Sequence, residues 1–275
     1  MHTSTGQEQL RGVVKSFGPL PGLQVPTSCP RATCRRQLRR QAKAAAQSAT
    51  PVEDPFAKKE VYHDGPINSF FIKYFSAKMA EQLGRKEYAP GYEGIVELSK
   101  EIVRGRSSKQ QQETVSNILG SLLPPDAGSV FRKLFPFSQW SAELNARITM
   151  QFFAWLVGPM EMKDVEVEYK GQQQIWRSGV HIKKCRYLEQ AECKGMCVNM
   201  CKMSTQKFFT ETFGLPLTMV PNFEDLSCDM LYGQMPPPLE QDEAYLEPCF
   251  SQHCNIPQKR AGRPCPKIDT RREGR

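Results

Sequence analysis

The chain has 275 residues, with 37 Lys and Arg against 29 Asp and Glu, 39% apolar and 24% charged residues, and a formal net charge of +8. This composition supports a packed core in one or at most two domains and excludes wholesale disorder. A mean hydropathy of −0.52 argues against a membrane-spanning protein, and the 19 Gly and 21 Pro show no period that would suggest collagen. The longest apolar stretch, Ile148 to Met162, is broken by Gln151 and by Gly158-Pro159, well short of the roughly 20 residues a span needs.

The charge is unevenly placed. Residues 1–50 hold eight basic residues and one acid, residues 255–275 hold seven basic and two acidic, and residues 51–254 hold 22 basic and 26 acidic. The body is therefore mildly acidic and offers no basic groove for nucleic acid. The first fifty residues are rich in Ser, Thr, Ala, Gln and Arg and lack an apolar core segment, which is the composition of a disordered organelle transit peptide. The alternative is a plain basic arm. In a plastid stroma or matrix, ten cysteines suit metal or redox chemistry better than structural bridges.

In chain order, the spacing predicts a helix over 65–84, opened by Pro66 and marked by Ile67, Phe70, Phe71, Tyr74, Phe75, Met79 and Leu83. A second is predicted over 92–103 and a third over 111–123, stopped by Pro124-Pro125. A short one follows over 129–134. Ser141 is the expected N-cap of a helix over 142–157 that buries Leu144, Ile148, Phe152, Trp155 and Leu156. The period then becomes two: Val165, Val167 and Tyr169 alternate with acids, Lys170-Gly171 turns the chain, and 174–188 reads as one or two returning strands. A Cys-bearing helix is predicted over 194–213, closed by Gly214, and a strand over 227–232. These elements give an α+β fold, a helical N-terminal half packed on a small antiparallel sheet with a Cys-bearing helix. The expected organisation is transit peptide over 1–50, helical part over 55–163, Cys-rich domain over 164–255 and basic tail over 256–275.

Eight cysteines fall between 185 and 265, densest in Cys193-Lys-Gly-Met-Cys197-Val-Asn-Met-Cys201, with Cys185 before and Cys228 behind. On a straight α-helix, positions i, i+4 and i+8 drift ~40° per step and end ~12 Å apart, whereas thiolates on one metal lie within ~4 Å of one another. Three ligands from one such helix cannot reach one ion. Either Cys197 and Cys201 act as a pair, or Cys193 curls in from a preceding loop, with Cys228 or Cys185 as a further ligand. Burial of all three as small core residues is the plain alternative. His181 reads as a satisfied sheet-surface histidine, and Glu224 and Asp225 as turn or cap residues. His63 and His253 give no triad, and no phosphate loop or hydrolase motif occurs.

The runs Gly179-Val-His-Ile-Lys-Lys-Cys-Arg-Tyr-Leu-Glu189, Cys193 to Cys201, Thr205-Gln-Lys-Phe-Phe209, Phe213-Gly-Leu-Pro-Leu-Thr218 and Pro221-Asn-Phe-Glu-Asp-Leu-Ser-Cys228 occur in this order. Together they resemble the plastid beta-carotene isomerases called dwarf twenty-seven, over roughly 179–254. The wording of Gly195 to Cys201 and of Cys265-Pro-Lys-Ile268 looks closer to paralogue-type members. The resemblance implies a non-haem, iron-dependent enzyme of the chloroplast that interconverts all-trans and 9-cis beta-carotene at the entry to strigolactone synthesis. Its motif cysteines carry over to Cys185, Cys193, Cys197, Cys201 and Cys228, which become the expected metal set. A substrate without polar atoms implies an apolar slot, with Phe208, Phe209, Phe213, Phe152 and Phe70 as its expected lining. It also implies loose attachment to a plastid membrane through an exposed aromatic patch or the basic tail. A plastid iron–sulfur electron carrier or assembly protein, and a zinc or thiol-switch interaction module, are the competing readings.

Overall fold

The structure, a computed structural model, describes residues 54–247, 249, 250 and 253. The expected transit segment, the basic tail and Cys29, Cys34, Cys254 and Cys265 lie outside the described residues. The fold is α+β, with a helical N-terminal region packed on a four-stranded antiparallel sheet of order β1-β2-β4-β3.

Local chemistry sets the helices. Helix α1 (Pro66–Leu83) starts on Pro66 and ends on Gly84, whose φ of 66° lets its N–H reach the carbonyls of Ala80 and Glu81. Helix α2 (Gly91–Val103) buries Ile95, Leu98, Ile102 and Val103. Ser107 and Gln110 cap α3 (Ser108–Ser121) reciprocally. Helix α4 (Ala127–Leu134) leads to α5 (Gln139–Phe152) and the short α6 (Ala154–Val157).

Strands β1 (Met160–Tyr169) and β2 (Gln172–Ile182) form a hairpin. Its turn residues Lys170 and Gly171 have φ of 53° and 76°, the two positive angles that a two-residue turn between twisted strands demands. Val165 and Val167 point inward while Asp164, Glu166 and Glu168 face solvent. The remaining elements are α7 (Arg186–Ala191), the composite helix α8, β3 (Leu217–Pro221), β4 (Cys228–Tyr232) and α9 (Glu243–Leu246). Helix α8 runs continuously through a π segment (Met196–Met203), one α turn (Ser204–Lys207) and a second π segment (Phe208–Thr212). Trp176, Tyr232 and Leu217 anchor the core, and α5 is tied to the sheet by a 2.6 Å hydrogen bond between the Thr149 and Tyr232 hydroxyls.

Several expectations are corrected. Helix α5 is capped by Ser138, and Ser141 is its partner in the capping box. The helix buries Ser141, Ala142, Asn145, Ala146 and Thr149. Ile148 and Phe152, expected in the core, are exposed, because small side chains let the helix lie close on the sheet. The returning strand stops at Ile182, and 186–191 is helical because the Cys185 sulfur accepts from the Leu188 N–H at 3.5 Å. Strand β3, preceded by Pro216 and ending on Pro221, does not stand out in the sequence, and it occupies the sheet edge where proline is tolerated.

Candidate functional site

Four thiols arrive at one place from three directions. The N–H of Cys185 donates to the Leu226 carbonyl at 2.7 Å, which holds the end of β2 against the 222–228 turn. That turn is built by Asn222, which accepts from Glu224 N–H, and by Asp225, which accepts from Ser227 N–H. Cys228 opens β4 opposite Ile182 of β2 and Pro221 of β3. Cys197 and Cys201 lie in the first π segment of α8, where i→i+5 bonding widens each turn and alters which side chains share a face.

Cys185, Cys197, Cys201 and Cys228 line one cavity together with Ile182, Tyr187, Leu188, Lys202 and Met219. The cavity measures about 10 Å³, room for one water-sized species. Burial pushes the Cys185 thiol up to about 11, against hydrogen bonds from the backbone of Leu188 and Tyr187. Burial and the neighbouring Cys185 push Cys201 up to about 12, against a hydrogen bond with Thr205. Cys197 and Cys228 are raised well above the ordinary thiol range by burial first and by the other thiols second, with Lys202 opposing. All four are neutral at neutral pH in this arrangement.

Lys202 is the cationic part of the wall. It is almost fully buried, donates to the Met219 carbonyl at 2.6 Å and pairs with the buried Asp242 at 2.7 Å. Asp242 in turn caps α9 through Ala244 N–H. Sequence reasoning missed both residues. Lys202 follows Cys201 directly and could have been suspected as the lone charge in an apolar, Cys-bearing turn. Asp242 lies forty positions further on and carries no local signal.

Among the expected ligands, the structure brings Cys185, Cys197, Cys201 and Cys228 together and leaves Cys193 buried but outside this wall. The Cys193 carbonyl accepts from Cys197 N–H at 3.2 Å. Among the described residues, no group of three or more His, Cys, Asp or Glu side chains is gathered closely enough to hold an ion as it stands. His181 is paired with Asp229 at 2.7 Å on the sheet, and Lys163 pairs with the same carboxylate. Burial of Asp229 is outweighed by these two hydrogen bonds, so its pKa falls. His253 pairs with Asp54 at 3.1 Å.

Phe208, Phe209 and Phe213 cluster at the second π segment, with ring centroids 5.1–6.0 Å apart. Phe131 packs on Phe213 at 4.6 Å and Tyr232 on Phe209 at 5.3 Å. Phe152 and Phe70 lie on the outer surface, and none of the five expected phenylalanines lines the thiol cavity.

A helical layer on a small antiparallel sheet, with four cysteines around one buried cavity, is the frame within which the comparisons fall. Residues 155–241 match a family model described as "Beta-carotene isomerase D27-like, C-terminal", a span that contains all four cavity cysteines. Two relatives extend the similarity beyond that span. The chain is 37% identical over 198 residues to "Beta-carotene isomerase D27, chloroplastic" of Medicago truncatula, covering 72% of this chain and 77% of the relative. It is 34% identical over 227 residues to the protein of the same name from Arabidopsis thaliana, covering 82% and 83%. The chain belongs to the D27-like beta-carotene isomerase family. No solved structure matches it.

Proposed function

We propose that the protein is an iron-dependent cis/trans isomerase of carotenoids, of the all-trans/9-cis beta-carotene type, acting upstream of strigolactone or a related apocarotenoid synthesis. The observation that carries this reading is the convergence of four buried thiols on one cavity in a chain of this family. By donor type the site fits a soft, redox-active ion, since the wall offers four thiols and no carboxylate. Cys185, Cys197, Cys201 and Cys228 would hold the iron. Holding it requires the thiols to close inward and to give up their protons. Iron, when bound, supplies reversible electron exchange that lowers the bond order of a conjugated double bond without net oxidation.

The chain's own residues do the rest. Lys202, fixed by Asp242 and the Met219 carbonyl, offsets the negative charge that the thiolates bring into a buried site. Tyr187, Leu188 and Ile182 exclude water from the sulfurs. Phe208, Phe209 and Phe213, further along the same helix, offer ring faces to a polyene that has no polar atom to grip. The basic, acid-poor first fifty residues direct the chain to the chloroplast, where its relatives are named as residing. No helix among the described residues is long and apolar enough to cross a membrane, and a substrate that dissolves in lipid implies that the protein works at a membrane surface.

The test uses the full chain. Iron content is measured by metal analysis, and all-trans beta-carotene is incubated with the protein and separated by chromatography. The expected result is iron in the preparation and a shift toward the 9-cis isomer. Iron-free protein that converts the pigment, or iron-loaded protein that leaves every carotene isomer ratio unchanged, refutes the reading. Four thiols also suit the cluster of an electron-transfer protein; broad visible absorption without isomer conversion favours that instead.

A further inference from the structure

We propose that α1, α4 and α5 present a docking face that seats the protein on an anionic lipid bilayer. The face is made of large apolar side chains that two helices turn away from the core. On α5, Trp140, Leu144, Ile148 and Phe152 recur every fourth residue, a stripe about 18 Å long. Trp140 is 60% exposed, Ile148 37% and Phe152 53%. The opposite side of the helix, with Ala142, Ala146 and Thr149, is the side that packs inward. Helix α1 is arranged in the same sense: Ile72, Met79 and Ala80 are buried, while Ile67, Phe70 and Tyr74 stand in solvent.

Ring contacts join the α1 side chains to the end of the α5 stripe. Phe152 meets Phe71 at 6.5 Å, Phe71 meets Phe70 at 5.7 Å, and Phe70 stacks on Tyr74 at 6.4 Å. At the other end of the stripe Trp140 stacks on Phe135 at 5.6 Å, the residue that follows α4, and α4 itself leaves Val130 and Leu134 exposed. Single exposed apolar residues are ordinary; a contiguous aromatic face is not, and it marks an interaction surface.

Charge selects the occupant. The three helices carry Lys73, Lys78, Arg132, Lys133 and Arg147 against Glu81 and Glu143. Both acids are already paired, Glu81 with Lys78 at 2.9 Å and Glu143 with Arg147 at 3.9 Å. Arg132 is turned to the end of α8, where it donates to the Glu211 and Thr212 carbonyls, and Lys73 and Lys133 remain, both exposed, on a body in which acids outnumber bases by four between residues 51 and 254. Trp and Tyr among aliphatic side chains, on helices that carry surplus Lys, is the make-up of a surface that lies in an anionic membrane interface. A second copy of the chain seated face to face would set these cations against one another.

This inference rests on the proposed function for its purpose, since a carotenoid is delivered from lipid, but the binding itself is read without turnover. The full chain is sedimented with vesicles of phosphatidylcholine and phosphatidylglycerol in equal parts, and with phosphatidylcholine alone. Binding is expected to the anionic vesicles, to weaken with salt, and to fall at least ~10-fold in Lys73→Glu/Lys133→Glu. The variant Ile67→Ser/Tyr74→Ser/Trp140→Ser/Ile148→Ser is expected to lose binding while converting detergent-dispersed beta-carotene at the wild-type rate. Wild-type affinity in both variants, which would assign binding to the basic ends of the chain, overturns the inference. So does a wild-type chain that ignores both vesicles, whether it stays monomeric or pairs with itself. Vesicle binding without any carotene conversion would instead remove the isomerase reading and leave the docking face standing.

Discussion

The thiol cavity and the outer face of α1 and α5 are built from residues that the sequence marks with equal force, and the fold treats them in opposite ways. Cys185, Cys197 and Cys228 are buried and drawn to one point of the core. Ile67, Phe70, Ile148 and Phe152 are left in solvent. Cysteine spacing is informative because the chemistry of sulfur limits which groupings are useful. Apolar periodicity reports only that a helix has a greasy side, and it is silent on whether protein or lipid covers that side.

The sharpest way to break the comparison lies at the cavity. Cys197→Ser/Cys201→Ser is expected to lose nearly all bound iron and isomer conversion, while Cys193→Ser keeps most of both, as metal analysis and pigment chromatography will register. Equal losses in the two variants would place Cys193 in the site. Next in size is a tryptophan pair. Trp176→Ala, at a fully buried position, should cost about 3–5 kcal/mol in urea unfolding. Trp140→Ala, on the outer face, should stay within about 0.5 kcal/mol.

A pH series sharpens the contrast further. Folding raises the pKa of Cys185 to about 11 and of Cys201 to about 12, from the ordinary 9.0. The stability this contributes is complete below about pH 9 and is lost as pH rises through the folded values. Unfolding of the metal-free chain should therefore become easier across that alkaline window, and Cys185→Ala should flatten the slope while Trp140→Ala should not. Ser138→Ala should have the smallest effect, about 1 kcal/mol from the lost cap of α5; thermal melts that match the wild type would contradict the cap.

Much of this was legible before the structure. The hairpin at Lys170-Gly171, the helix ends at Pro66 and Gly84, and the α+β order follow from turn and cap chemistry that acts over a few residues. The cysteines were legible as a group, and the structure sets Cys185, Cys197, Cys201 and Cys228 around one cavity with Cys193 outside its wall. Which of Cys193, Cys197 and Cys201 face the cavity was not legible, because the π segment at Met196–Met203 leaves no propensity signal. Helix α7 hid behind a strand because only six residues, set off by the Cys185 sulfur, distinguish it. The Lys202–Asp242 pair depends on tertiary contact alone. The core face of α5 was misassigned because Ala142, Ala146 and Thr149 pack by being small, which a search for large apolar residues passes over.

X-ray absorption at the iron edge of the full chain tests the central claim most directly. Sulfur ligation of the iron, abolished in Cys197→Ser/Cys201→Ser, is the predicted result. A first shell of nitrogen and oxygen only, or a spectrum that those substitutions leave untouched, would contradict it.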